Sequence, residues 1–205
     1  MERQSTNIKI GFGRQLGFAL GESAGQFFFG FWGSFLSIFY TDVVGLAPMV
    51  VSIIFVVARI WDAVNDPIMG NIADRGKVTK HGRYRPWILY GVPVLAILSI
   101  LVWHVPHADA QGVKIAYVTI TYILAGMAFT LVNVPYMSLQ STLTTDRKSR
   151  GDIANIKGAF TFVGTTIINL FTVKLVTMFA GVDKNGHGYF LTAVLYTVIG
   201  VIMYY

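Results

Sequence analysis

Three carboxylates lie in stretches of the chain that are otherwise apolar: Glu22, Asp62 and Asp66. Each costs about 2.5 to 3.5 kcal/mol at the centre of a bilayer on insertion scales, so each needs a chemical reason. The stretch that holds two of them reads Arg59-Ile-Trp-Asp62-Ala-Val-Asn65-Asp66-Pro67. On a helix, spacings of three and four residues bring Asp62, Asn65 and Asp66 to one face, with Arg59 one turn before Asp62. Two carboxylates and an amide oxygen are hard ligands, suited to Na+, Li+ or a proton and not to a soft metal. One arginine does not neutralise both carboxylates, so the cluster stays electronegative until a cation or proton arrives. That is a coupling site in outline. The competing reading is structural: Arg59 neutralises Asp62, and Asp66 caps a helix broken at Pro67.

Further polar groups stand in other apolar stretches. Thr130 and Asn133 precede Pro135 and Tyr136, and Thr130 is either a cation ligand or bonded to its own backbone one turn back. Glu22 and Gln26 are one turn apart on a face that also bears Phe29. Hydrogen-bonding groups beside an aromatic ring suit a sugar, although Gln26 serves equally well as a contact between helices. His104 and His107 are three apart with no third ligand in reach by sequence, so they point to an interfacial role and not to a metal. No P-loop, nucleophile elbow or HExxH is present, which removes the usual routes to an ATPase or a membrane hydrolase.

The elements that must carry these residues follow from composition. Of 205 residues 54% are hydrophobic and 13% charged, and the mean hydropathy is +0.59. Soluble domains run nearer a quarter charged. Disorder is excluded by the same figures, and the lack of cysteine excludes a disulfide scaffold or a thiolate metal site. Apolar runs of about 20 residues span a bilayer as helices, and six are expected, at about 16–40, 47–71, 86–105, 113–141, 153–180 and 188–205. They do not alternate as barrel strands do. Residues 1–15 precede them and do not form a signal peptide, because the first run is long, contains Glu22 and lacks a small-residue cleavage site. Basic residues then set the orientation. Arg3, Lys9 and Arg14, the group Arg75, Lys77, Lys80, Arg83 and Arg85, and the group Arg147, Lys148, Arg150 and Lys157 fall on one side, against Lys114 and Lys184 on the other. The N-terminus is therefore expected in the cytoplasm. Topology accounts for the net charge of +6, which leaves no case for a nucleic-acid partner. Gly13, Gly17, Gly21 and Gly25 form a stripe that lets a neighbouring helix approach. Trp87 and Trp103 flank the third span as interfacial anchors do, and Lys174 is expected to snorkel.

From Arg59 to Gly70, then at Asp74-Arg75 and at Gly82-Arg83-Tyr84-Arg85-Pro86-Trp87, the chain looks like the glycoside-pentoside-hexuronide:cation symporters. Thr41 to Leu46 and Asn133-Val134-Pro135-Tyr136 reinforce the likeness, which runs from about residue 8 to the end. It implies an all-α membrane protein, the N-terminal six helices of a twelve-helix major facilitator fold, with the C-terminal half missing from this sequence. It also implies that Asp62, Asn65, Asp66 and Thr130 form a monovalent cation site. Gly70, Asp74, Arg75 and Arg83 resemble the superfamily's inner loop between helices two and three, a structural or gating element to which Arg59 is added. The sugar side departs from the family. Melibiose-type members have aspartates where Gln26 and Asn133 stand and a tryptophan where Met137 stands, and the basic sugar-binding residue of the fifth helix falls on Lys157. An arginine clamps hydroxyls with a planar fork and a lysine does so with a point charge, so the replacement is not neutral.

The expected protein is a cation-coupled sugar or glycoside symporter of the inner membrane and not an enzyme. Its partners are the bilayer, the sugar and the coupling ion, Na+ or Li+ or H+, with no cofactor. Glu22, Gln26, Asn133, Met137 and Lys157 would face the sugar. The alternatives are a facilitator-fold carrier of a non-sugar substrate, and a half-bundle that transports nothing and acts as a scaffold.

Overall fold

A computed structural model describes residues 12–76, 78–80, 82–104, 110–143, 147–180 and 186–205. Arg3, Lys9, Lys77, His107 and Lys184 lie outside the described residues, as does most of the expected N-terminal segment 1–15. The described residues are almost all helical. Helix α1 (Phe12–Gly25) continues through a π-helical turn (Gln26–Gly30) into α2 (Phe31–Ile38) and a second π-helical turn (Phe39–Val43). Five single helices follow: α3 (Pro48–Arg75), α4 (Arg85–Val102), α5 (Gln111–Leu143), α6 (Arg147–Ala180) and α7 (His187–Tyr204). All five are long and apolar enough to cross a membrane. The chain is a multi-pass membrane protein.

Local chemistry explains the ends. Gly45 ends the first rod at φ +79°, where a Cβ would be strained, and Pro48 then opens α3 at a position that needs no N–H. Between α3 and α4, Thr79 and Gly82 exchange backbone hydrogen bonds of 3.2 and 2.9 Å, with Gly82 at φ +92°. The Tyr84 hydroxyl donates to Asp74 Oδ1 at 2.9 Å, and that acceptor holds the phenol above its ordinary range. Helix α3 does not break at Pro67 but runs on to Arg75. Asp66 is therefore an interior helix residue and not a cap, which corrects the structural reading of the cluster. Prolines persist inside membrane helices because neighbouring groups satisfy the backbone they free.

The packing order places the site. Helix α1 packs on α6 and α7, α3 packs on α5, and α4 packs on α5 and α7. An aromatic core lies between them. Phe31 stacks on Trp103 with centroids 4.1 Å apart and meets Tyr196 edge-on at 5.1 Å, while Trp103 stacks on Tyr189 at 5.7 Å. Trp103 is 0% exposed. It is a core residue and not the interfacial anchor that its place at a span end suggested. The glycine stripe divides in two: a Cβ on Gly21 would meet the Tyr136 ring at 2.7 Å and one on Gly25 the Tyr204 hydroxyl at 3.4 Å, whereas Gly13 and Gly17 have nothing within 4 Å. The outside of the bundle is apolar, with Val56, Ile60, Val64 and Ile68 exposed on α3 and Phe162, Leu170 and Met178 on α6. A soluble monomer does not expose such faces.

Candidate functional site

Helices α1, α3 and α5 enclose a cavity of about 310 Å³ whose walls include Glu22, Gln26, Phe29, Arg59, Asp62, Asp66, Thr130, Asn133 and Met137. Each wall is built by helical spacing. On α5, Gly126, Thr130, Asn133 and Met137 follow at intervals of four, three and four residues, which is one face of the helix. Gly126 matters for its missing side chain, because a Cβ there would stand 3.2 Å from Asp62 Oδ1. On α3, Asp62 and Asp66 are one turn apart. On the first rod Glu22 belongs to α1, whereas Gln26 and Phe29 belong to the first π-helical turn. Such turns recur at functional sites because they re-aim the side chains they carry.

The three carboxylates have different partners. Glu22 Oε2 is 3.0 Å from Lys157 Nζ, with both side chains less than a fifth exposed. Lys157 also donates to Met137 Sδ at 2.9 Å. Asp62 lies 3.8 Å from Arg59 Nη1, and the Arg59 guanidinium sits 5.1 Å above the Phe29 ring, so its charge is shared with a π face. Asp66 has no basic side chain within salt-bridge distance among the described residues. What it does have is a hydrogen bond from Thr130 Oγ1 to Oδ1 at 2.9 Å. Thr119, Thr121, Thr172 and Thr192 bond carbonyls one turn back in their own helices. Thr130 instead reaches across to α3 and bonds Asp66, not the backbone of its own helix.

The expected residues are thus gathered unequally. Asp62, Asp66 and Thr130 open into one chamber with Glu22, Gln26, Asn133 and Met137, and Lys157 joins them through its contacts with Glu22 and Met137. Asn65 does not line the chamber. It is 5% exposed, and its Nδ2 is buried without a hydrogen-bond partner. The residues expected at the inner loop stand apart. Asp74 bonds Tyr84, Arg75 ends α3, Arg83 is exposed, and a Cβ on Gly70 would make ordinary contact with Val134. His104 packs between the rings of Tyr117 and Phe190, and no cluster of three or more His, Cys, Asp or Glu side chains placed to hold a metal ion occurs among the described residues. Lys174 is exposed on α6.

Several site residues went unnoticed in the sequence. Phe129 stacks on Phe29 with centroids 5.0 Å apart and an angle of 23°, an aromatic pair beside the polar groups. Thr165 Oγ1 donates to Gln26 Oε1 at 3.2 Å, and Ser23 Oγ donates to the Phe160 carbonyl at 2.9 Å. The available signal was Gly126 exactly one turn before Thr130; no pattern in the first rod points to α6, because that pairing is tertiary.

Residues 17–205 match the family model described as MFS/sugar transport protein. The chain is 31% identical over 190 residues to the isoprimeverose transporter of Lactiplantibacillus pentosus, covering 92% of this chain and 39% of that protein. It is 31% identical to the glucuronide carrier protein homolog of Escherichia coli strain K12, covering 93% of this chain and 41% of that one. It is also 35% identical over 146 residues to the sodium-dependent lysophosphatidylcholine symporter 1-B of Danio rerio, covering 71% of this chain and 28% of the relative. The chain spans about two fifths of the length of the curated bacterial relatives it matches.

Proposed function

The chain belongs to the MFS/sugar transport protein family, a family of transporters and not of enzymes, and on that premise we propose that it forms the cation-binding and part of the sugar-binding wall of a glycoside symporter. The observation that carries this reading is the shared chamber: Asp62, Asp66 and Thr130 face the same 310 Å³ as Gln26, Phe29 and Asn133. Three carboxylates against Lys157 and Arg59 leave one negative charge, and it falls to Asp66, whose one partner among the described residues is a hydroxyl. A monovalent cation, Na+ or Li+ or H+, neutralises the chamber when it binds there. The oxygens of Asp62, Asp66 and Thr130 would hold it.

Coupling follows from that charge. A chamber made neutral no longer pulls water onto a bare carboxylate, so the hydroxyls of a sugar compete for the remaining polar groups while its CH groups pack beside the Phe29–Phe129 pair. By linkage the sugar raises cation affinity by the factor with which the cation raises sugar affinity, which obliges the two to move together. Glu22, Gln26, Asn133, Met137 and Lys157 form the sugar side. The asymmetry of Lys and Arg between the connections puts the N-terminus in the cytoplasm.

A second reading is favoured by the relative from Danio rerio, whose name assigns it a lysophospholipid. On that reading an amphipathic lipid, and not a sugar, enters beside the cation. One experiment separates the two: uptake of labelled glycosides, pentosides, uronides and a lysophospholipid by cells that express the reading frame containing this sequence, with and without Na+ at two pH values. Sodium- or proton-stimulated uptake of a saccharide that lysophospholipid does not compete is the expected result. Uptake of lipid alone supports the second reading, and saccharide uptake indifferent to both ions removes the coupling.

A further inference from the structure

A second cavity, of about 870 Å³, lies between the beginnings of α1 and α4 and the ends of α5 and α7, where Gly17, Arg85, Leu89, Leu139 and Met203 are among its walls. It shares Gly21 and Tyr204 with the chamber and otherwise has a lining of its own. Its shape is built by identifiable contacts. Pro93 inside α4 has no N–H, so the Leu89 carbonyl four residues earlier lacks a helical partner. The Tyr205 hydroxyl donates to that carbonyl at 2.7 Å, which sets the Tyr205 ring in the wall. On α1 a Cβ at Gly17 would have nothing within 4 Å, so the missing side chain there keeps the space open.

Charge at the rim is of one sign. Arg85 is the one charged group among the described lining residues, and it is exposed with no carboxylate in salt-bridge distance among them. Lys80 and Arg83, on the same connection between α3 and α4, are exposed as well. Below the rim the walls are mostly apolar or aromatic. An unpaired guanidinium above such walls suits an anion that carries an apolar body. Leu89 and Tyr90 are exposed on α4, which leaves that body a way out to the side.

We infer that this cavity holds an anionic phospholipid of the leaflet it faces, with the phosphodiester on the Arg85 guanidinium and the glycerol and first methylenes against Ile88, Leu89, Leu139 and Met203. A guanidinium offers phosphate two parallel N–H bonds, and basic pockets between membrane helices on the cytoplasmic side hold such head groups. The lipid is resident and not cargo, so its site stands whether the chamber carries a saccharide or a lysophospholipid. Two other occupants match less well. Free phosphate would leave the apolar walls uncovered, and the residues that precede Phe12 carry Arg3 and Lys9 against Glu2, an excess of the same sign as Arg85.

The test takes the protein purified in detergent from cells that express the reading frame containing this sequence. It is titrated with phosphatidylglycerol and with phosphatidylcholine of the same chains, bound lipids are counted by native mass spectrometry, and inorganic phosphate is added in excess as a competitor. Arg85→Gln should weaken one bound phosphatidylglycerol by about fivefold or more and leave phosphatidylcholine unchanged, while Lys80→Gln, near the cavity and not in its wall, stays within about twofold. Gly17→Phe, which fills the cavity, should remove the same lipid, and the double variant should lose no more than Gly17→Phe alone. Thermal unfolding is followed alongside, and Gly17→Leu decides if Gly17→Phe does not fold. Phosphatidylglycerol binding unchanged in Arg85→Gln overturns the inference. An equal loss in Lys80→Gln overturns it in favour of diffuse surface charge, and displacement by inorganic phosphate does so in favour of a free anion. Binding that survives when Gly17 is enlarged overturns it too, because the head group then lies on the surface and the cavity is filled otherwise.

Discussion

The chamber has two walls that solve the problem of a carboxylate in a membrane in opposite ways. On the α1 and α6 side, Glu22 meets Lys157 at 3.0 Å, and the pair is neutral before anything binds. On the α3 and α5 side, Asp66 meets only the Thr130 hydroxyl among the described residues, and Asp62, 3.8 Å from Arg59 Nη1, shares that arginine with an aromatic ring. The first wall has stored its neutrality internally and is suited to hold shape and orient a neutral ligand. The second is left one charge short, and that deficit is what the proposed cation would supply. Charge type alone does not separate the two roles; the partner does.

Removing the deficit is the largest way to break this contrast. In Asp66→Asn the chamber is neutral without an ion, so cation-stimulated uptake falls at least tenfold, with the amount of protein in the membrane little changed. Uptake measured against cation concentration checks this, and stimulation equal to that of the unmodified protein would erase the distinction between the walls. Second in size is Lys157→Ala, which leaves Glu22 buried without its counter-charge. It should raise KM for the sugar about five- to tenfold and lower stability by about 1 to 3 kcal/mol. Cation half-saturation should stay within twofold if the walls are independent. The pair Glu22→Gln with Lys157→Gln should regain the stability and not the KM, as read by thermal unfolding in detergent beside uptake.

A smaller perturbation sharpens the comparison on the open wall. In Gly126→Ala the new methyl stands 3.2 Å from Asp62 Oδ1, close enough that the carboxylate must give way by a few tenths of an ångström. Expected is a two- to fivefold rise in the half-saturating cation concentration with sugar KM unchanged, since a charge moved slightly against an ion loses only part of its attraction. A change in sugar KM alone would mean that the α3 and α5 wall also orients the sugar.

How much of this could be read beforehand depended on whether the relevant spacing lies within one helix. Asp62 and Asp66 are four residues apart, and their common face was legible. Asn65 stood in the same pattern, but one residue of helix is about 100° of turn, and the structure buries it away from the chamber. The direction of the Thr130 hydroxyl was undecidable from its own helix, because the competing acceptor belongs to Asp66 on another. The Glu22–Lys157 pair joins residues far apart in sequence, and Lys157 had been counted among the cytoplasmic charges that set topology. Its half-buried place depends on how α6 leans on α1. Trp103 fails for a related reason: an anchor and a core residue occupy the same position at a span end, and only the rings of Phe31 and Tyr189 distinguish them.

The smallest expected effect falls on Thr130 and bears on the proposal that it is a cation ligand. Without an ion, its hydroxyl hydrogen satisfies Asp66 Oδ1 at 2.9 Å. With an ion, the same hydroxyl must turn its lone pair toward the cation, so it serves both states and its removal penalises both. In Thr130→Val the empty site loses a hydrogen bond to a charged acceptor, worth about 1.5 to 3 kcal/mol, and the filled site loses one oxygen ligand. The two losses largely cancel in the affinity. Cation half-saturation should therefore rise less than threefold while thermal stability in cation-free buffer falls, and Thr130→Ser should behave as the unmodified protein. A tenfold loss of cation affinity with unchanged cation-free stability would place the hydroxyl wholly on the filled side, and the bond to Asp66 would then contribute nothing to holding the empty wall open.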